Sequence, residues 1–125
     1  MTHVLGGEKM SILQSVRTMV LGNTDDTEFD TDLIMHINSV FSILYQLGVG
    51  PDNGFKITGD SETWEQYLSN ETALDLVKTY MFLKIRLIFD PPTGSVLNSY
   101  DAQVKELEWR LNMFSHSELS TETGD

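Results

Sequence analysis

The chain has 125 residues, no cysteine and a formal net charge of −11, from 19 acidic and 8 basic residues. This length predicts one domain that can bury its own core, and the lack of cysteine excludes disulfides and thiolate metal sites. Because sequence-independent affinity for nucleic acid comes from clustered Lys and Arg, which are few here and form no patch, tight binding to DNA or RNA is not expected.

The first predicted helix spans Lys9 to Leu21, where apolar residues recur at helical spacing, and Gly22 is its predicted C-cap. Polar residues interrupt the apolar ones throughout residues 1–21, so we expect neither a secretory signal nor a membrane anchor. A polar, acidic loop is predicted over residues 23–30.

The second predicted helix begins with Asp30 or Thr31 as its N-cap and runs to about Leu47, where the Gly48–Pro51 turn stops it. Residues 55–58 alternate between two glycines, which predicts a brief strand or an extended loop. The side chains of the second helix expected to face the core are Leu33, Ile37, Val40, Phe41, Leu44 and Leu47.

A short third helix is predicted to start at Ser61 and to carry Trp64 and Tyr67. Asn70 or Glu71 then opens a helix over residues 73–89 that is apolar on nearly every side, which predicts that it is buried in the fold or between subunits.

The dipeptide Pro91-Pro92 breaks this helix from the next, because proline has no amide donor and restricts the residue before it. The next helix is predicted to end near Met113. Its apolar stripe at helical spacing is Tyr100, Val104, Leu107, Leu111 and Phe114. The predicted fold is thus an all-α bundle of about four to five helices with a long C-terminal helical hairpin, divided into a helical domain (1–113) and a flexible acidic C-terminal segment (114–125).

No pattern in the chain has the chemistry of a reaction centre. The alternating acids after residue 25 fail as a calcium loop, because a loop starting at Asp26 would place Thr31 and Ile37 where glycine and a bidentate acid are required. The three histidines lie in separate elements, and the glycine pairs match no phosphate loop. We therefore predict a non-enzymatic protein without metal or cofactor.

The aromatic residues exceed what the periodic core faces require, and a surplus of this kind is typical of subunit interfaces. Trp109 lies off the apolar stripe of its helix, which leaves two alternatives, a second internal contact or an interface between subunits. The apolar surface of helix 73–89 favours the interface. The candidate interface residues are Trp64, Tyr67, Lys78, Phe82, Arg86 and Trp109.

Several segments of the chain together resemble a known family. They read L-x-x-V-R-x-x-x-L-G from Leu13, F-D-x-x-L-x-x-x-I-N from Phe29, and Q-L-G-V-G-P from Gln46. The next segments are W-x-x-Y-L starting at Trp64, V-K-x-Y-x-x-L-K-x-R-L-x-F-D-P-P starting at Val77 and E-L-E-W-R-L starting at Glu106. In this order, over residues 10–112, they are similar to the small helical head–tail connector (adaptor) proteins of long-tailed bacteriophages and prophages.

The resemblance implies a homo-oligomeric ring, typically of twelve subunits, that is assembled in the host cytoplasm and carried in the virion. It implies that the ring docks under the portal protein and binds a downstream neck (stopper) or tail protein on its other side. It also implies that DNA passes through the ring without specific binding and that no membrane is involved. The acids Asp25, Asp26 and Glu28 are candidates to face the channel. By position, the portal-binding residues would be Phe114, Ser115, His116, Ser117, Glu118 and Leu119.

The strong negative charge leaves one alternative from another class, a small acidic regulator that mimics DNA and binds a basic host protein. Such a mimic needs acids concentrated on one surface at phosphate-like spacing. Helix 73–89 and its surplus aromatic residues have no role in that function, so the connector is the preferred hypothesis.

Overall fold

The computed structural model of the chain describes residues 10–22 and 25–123, with side chains as far as residue 116. The described residues form a small all-α bundle with a C-terminal helical hairpin, which confirms the predicted fold class. The elements in chain order are α1 (Ile12–Leu21), α2 (Asp30–Gln46), α3 (Trp64–Tyr67), α4 (Glu71–Phe89) and α5 (Gly94–Thr123).

Helix α1 starts three residues later than predicted because Ser11 caps it. The Ser11 hydroxyl accepts a hydrogen bond from the Gln14 amide, and the Gln14 side chain accepts one from the Ser11 amide, which completes a capping box. At the other end Gly22 is the C-cap, as predicted, with φ of +88°. Of the loop predicted over residues 23–30, the first two residues lie outside the described part of the chain.

Helix α2 takes Phe29 as its N-cap, so the prediction that Asp30 or Thr31 caps it is wrong. Asp30 instead lies in the first turn and accepts two hydrogen bonds from the Arg17 guanidinium, at 3.0 and 2.8 Å. This bidentate bond, against the opposing effect of burial, raises the pKa of Arg17. The carboxylate is used to join α1 to α2 rather than to cap a helix.

The end of α2 is a Schellman turn, in which the amide of Gly48 donates to Tyr45 O and that of Val49 to Leu44 O. Gly48 takes φ of +90°, a conformation that side chains disfavour. Leu47, predicted as core, is only partly buried beside this turn. The other predicted core residues of α2 are buried, namely Leu33, Ile37, Val40, Phe41 and Leu44.

Residues 55–58 lie in a loop, and no strand occurs among the residues that the structure describes. The Asn38 side chain of α2 anchors this loop through hydrogen bonds to the backbone carbonyl and amide of Ile57. Its amide donates to Ile57 O at 3.0 Å, and its oxygen accepts from Ile57 N at 2.7 Å. The side chain of Ile57 is thereby kept in the core.

Helix α3 is capped by Thr63, with Gln66 completing the capping box, so the predicted cap at Ser61 is wrong. This box fixes the direction of the four-residue helix. Trp64 is thus directed into the core, where its Nε1 donates to Ser15 Oγ of α1 at 2.9 Å.

Helix α4 is the central element, since it packs against α1, α2 and α5. Asn70 caps it as predicted, accepting from the Ala73 amide at 2.9 Å. Near its other end Phe89 meets Phe29 and His36 of the α2 region edge to face, with ring centroids 6.1 and 5.6 Å apart. Its buried residues are Ala73, Leu74, Val77, Tyr80, Met81 and Ile85.

Helix α5 packs on α4 through the predicted stripe, of which Val104, Leu107 and Leu111 are buried. The Tyr80 hydroxyl donates to the Glu108 carboxylate across this contact at 2.7 Å. Burial and this bond raise the pKa of Tyr80.

The prediction that this helix ends near Met113 is wrong, because α5 continues to Thr123. The polar composition of the C-terminal segment argues against burial, but it contains no helix breaker before Gly124. The flexibility predicted for this segment stays a prediction.

Candidate functional site: a groove beside α4

One face of α4, which none of the other described helices covers, forms the floor of a groove between α1 and α5. Two adjoining cavities of about 370 and 230 Å³ make up this groove, and Met19 and Phe82 line both of them. We call it the α4 groove. Its other lining residues are Met10, Ser15, Thr18, Trp64, Glu65, Lys78, Thr79, Leu83, Arg86 and Tyr100.

The groove exists because α4 contributes apolar side chains on more sides than three neighbouring helices can cover. Phe82 is only partly buried, with its ring edge to face against Trp64 at 6.4 Å. Met10 and Met19 on the α1 side remain 53% exposed. Exposed apolar side chains concentrated along one groove are typical of a surface that another chain covers.

The groove is locally positive on a strongly acidic chain, because Lys78 and Arg86 outnumber Glu65 among its lining residues. The Lys78 ammonium lies 5.9 Å from the centre of the Trp64 ring. The Arg86 guanidinium and the Asp90 carboxylate form a long, exposed ion pair at 3.5 Å, and the buried Arg86 Nε has no hydrogen-bond partner. Both cations therefore keep donors available to an acidic partner.

Three of the predicted interface residues line this groove with accessible surface, namely Lys78, Phe82 and Arg86. Trp64 and Tyr67 are each only 3% exposed and belong to the core of the subunit. Tyr67 packs against Phe41, with centroids 4.7 Å apart, and donates to Val49 O at 3.3 Å. Its burial raises its pKa. These two residues shape the subunit, and Trp64 also forms part of the groove floor.

Trp109 does not line the α4 groove and lies instead on the outer face of α5. It is 64% exposed, so it makes no second internal contact of the kind that one alternative predicted. Met113, one turn further on, is 47% exposed. Together they form a second apolar surface on α5 that the subunit itself does not use.

The described part of the predicted portal-binding segment lies beside the Schellman turn of α2. Phe114, Ser115 and His116 line a cavity of about 500 Å³ together with residues of that turn. Asn112 donates to Leu47 O at 3.2 Å, which ties α5 to the turn. The side chains of Ser117, Glu118 and Leu119 lie outside the described residues.

The predicted channel-facing acids Asp25, Asp26 and Glu28 are all exposed in the turn before α2. The Glu28 amide donates to the Asp26 carboxylate at 2.9 Å, so the turn has local order. Their place relative to a channel stays a prediction.

Sequence reasoning did not identify Met10 and Met19 as surface residues. Methionine tolerates partial exposure because its thioether side chain is flexible and polarisable. Among the described residues, no helix is long and apolar enough to cross a membrane. Within the same residues, no three acidic or histidine side chains are grouped to hold a metal ion.

An all-α subunit whose described residues leave two apolar surfaces exposed has the features of a small helical protein that contacts other chains. The family model described as phage connector protein matches residues 12–118 of the chain. The chain therefore belongs to the phage connector protein family, as its sequence motifs indicated. Neither a curated protein nor a solved structure was found to match it.

Proposed function

We propose that this protein is a structural head–tail connector of a tailed phage. In this role it forms a ring under the portal protein, extends the DNA channel and joins the head to the tail. The observation that carries the proposal is the match to the connector family over nearly all of the described fold. The family membership also favours this function over the acidic regulator, and a structural role requires no catalytic group.

A ring of subunits accounts for the uncovered apolar surface of the α4 groove. Each subunit of a ring contacts two neighbours, so it needs two lateral surfaces that are unsatisfied in the free chain. We propose twelve copies, the number that the family resemblance implies, and assembly in the host cytoplasm before incorporation into the virion.

We propose that the C-terminal part of α5 grips the portal protein, with Phe114, Ser115, His116, Ser117, Glu118 and Leu119 as the contact residues. The bond from Asn112 to Leu47 O supports this, because it fixes the direction in which α5 leaves the bundle. A downstream neck (stopper) or tail protein would bind the opposite side of the ring.

The acidic chain is suited to line a channel through which DNA slides without binding, because like charges repel at close range. We propose that Asp25, Asp26 and Glu28 face this channel. Replacing all three by Lys should slow DNA ejection from assembled particles. Unchanged ejection would exclude this turn from the channel.

The test of the function is the assembly formed with and without portal protein, measured as mass and as shape by electron microscopy. We expect rings alone or rings that depend on the portal. A stable monomer that ignores portal protein and inhibits a nuclease would instead support the acidic regulator.

A truncation tests the portal contact separately. Deleting residues 115–125 should abolish docking on the portal, whereas deleting only residues 120–125 should preserve it. Normal docking by the longer deletion would contradict the portal-grip proposal. Circular dichroism of both truncated proteins checks that the bundle is still folded.

A further inference from the structure

The charges of the chain are segregated into two complementary stretches. From residue 18 to residue 55 there is no Lys or Arg, while six acids occur there. From residue 76 to residue 89 there is no acid, while Lys78, Lys84 and Arg86 occur there. The first stretch contains α2 and the second is most of α4, so two helices of one subunit carry opposite charge.

The outward face of α2 is a continuous surface that the subunit does not cover. Asp32, Met35, Ser39 and Ser42 follow one another at helical spacing, and all four are exposed. Met35 is 58% exposed, the largest exposed fraction among the large apolar residues of this helix. An acid beside an exposed methionine is the chemistry that complements a groove lined by methionine, phenylalanine and arginine.

The two surfaces both point away from the core of the subunit. On α4, at 100° per residue, Thr79 and Arg86 of the groove fall on the side facing away from the buried Val77 and Met81. On α2, the buried Leu33 and Ile37 face the core, so Met35 faces away from it. The groove and the outward face of α2 are thus two different surfaces, on helices that pack against each other.

We infer that the outward face of α2 of one copy docks into the α4 groove of the next copy. Met35 fills the space between Met19 and Phe82, and Asp32 supplies Arg86 with a second carboxylate. The inference rests on the proposed connector function and identifies the surfaces that build its ring. A contact between two different surfaces is heterologous, and repeating it closes a ring when the rotation between neighbouring copies divides a full turn.

The weakly paired Arg86 of the groove favours a second copy as occupant. The bond of Arg86 to Asp90 is long, and the Arg86 side chain is 41% exposed. A carboxylate from another copy can therefore reach its terminal amino groups, and the chain itself presents one beside a matching apolar residue. Because the pairing joins opposite charges at a partly exposed surface, it weakens as salt concentration rises.

Charge reversal tests the pairing of Asp32 with Arg86. Arg86→Glu and Asp32→Arg should each weaken self-association at least about tenfold, and combining both in one chain should restore most of it. Lys105→Glu makes the same change of charge on the exposed face of α5 and serves as the matched control. Native mass spectrometry and sedimentation, with and without portal protein, measure the assemblies.

The direction of assembly is tested by blocking one surface at a time. Met19→Asp blocks the groove and Met35→Asp blocks the α2 face, and both positions are more than half exposed, so the subunit should stay folded. Mixing the two variants leaves one functional contact, so a heterologous interface gives heterodimers and nothing larger. Val96→Asp, at a half-exposed position of α5 outside both surfaces, is the control that should still form rings.

Because the chain has no cysteine, disulfide trapping gives an independent measurement. Oxidising a chain with Met19→Cys and Met35→Cys should give a ladder of covalent multimers, and Met35→Cys with Met113→Cys should not. Rings that form normally in every charge variant, or trapping only in the second pair, would overturn the inference and leave the connector function standing. A wild-type chain that binds neither itself nor portal protein would overturn both.

Discussion

The bundle of α1 to α4 and the outer face of α5 carry the same kinds of side chain in opposite environments. Each has one tryptophan, Trp64 at 3% exposure and Trp109 at 64%. Each has one close pair of arginine and carboxylate, Arg17–Asp30 largely buried and Arg110–Glu106 largely exposed. The bundle uses these residues for its own stability, whereas α5 leaves them available to other chains.

The tryptophans should show the largest difference. Trp64→Ala removes a buried ring that packs on Phe41 and Phe82 and bonds to Ser15, so we expect a loss of about 3–5 kcal/mol in the free energy of unfolding. Trp109→Ala should change it by about 0.5 kcal/mol or less. Urea unfolding measures both. A large loss for Trp109→Ala would show that α5 belongs to the core on both faces.

The two charge pairs should differ next. Asp30→Ala leaves the Arg17 guanidinium, 10% exposed, without its bidentate partner, which should cost roughly 1–3 kcal/mol. Glu106→Ala breaks a pair more than half exposed on both sides and should cost about 0.5 kcal/mol or less.

A double variant separates the loss of the Arg17–Asp30 bond from the cost of an unpaired buried charge. Arg17→Met with Asp30→Ala should be more stable than Asp30→Ala alone, because no unpaired cation remains. Equal losses in thermal and urea unfolding for the Asp30 and Glu106 variants would remove the contrast between the two pairs.

Two glycines measure how firmly α5 is attached to the bundle. Gly22 and Gly48 both have φ near +90°, which strains alanine at either position, and Gly22 adds a ψ of −175°, where alanine costs about 1–3 kcal/mol. At Gly48 the added Cβ would also lie 2.5 Å from Ser115 Oγ of α5, while at Gly22 it meets nothing.

We therefore expect the two variants to differ in where they act, because only Gly48→Ala crowds α5. Hydrogen exchange of α5 amides should rise in the Gly48 variant alone. Unchanged exchange of α5 in that variant would mean that α5 does not press on the turn.

The smallest effect concerns the loop before α3. Burial alone would raise the pKa of Glu62, but hydrogen bonds from Thr58 and the neighbouring backbone outweigh it and lower that pKa. A lowered pKa gives stability that is present above the ordinary Glu pKa and is lost as pH falls through the lower folded value. Glu62→Gln should flatten this acid limb in unfolding measured from pH 6 to pH 3, with Glu65→Gln as control.

The sequence predicted those parts of the fold that depend on local chemistry. Asn70 and Gly22 end their helices as expected, because caps act within one turn. Val104, Leu107 and Leu111 are buried because a long helix displays its period clearly. The family motifs reached the same conclusion as the family match.

What could not be predicted depends on contacts between distant segments. Trp64 and Tyr67 lie in a helix of only four residues, too short to show a period, so their burial was not visible. Asp30 is a residue type that often caps helices, and only the position of Arg17 shows that it instead forms an ion pair between α1 and α2. The groove itself combines residues of α1, α4 and α5 whose meeting follows from packing alone.

The length of α5 has a consequence for the cost of docking. With 30 residues against 19 in α4, it extends about 16 Å beyond its partner at 1.5 Å per residue. A segment that is already helical has lost its backbone entropy before it meets another chain, and ordering each residue otherwise costs about 1–2 kcal/mol. The projecting helix would therefore act as a stiff lever, on which a small tilt at the Gly48 turn becomes a larger displacement at its tip.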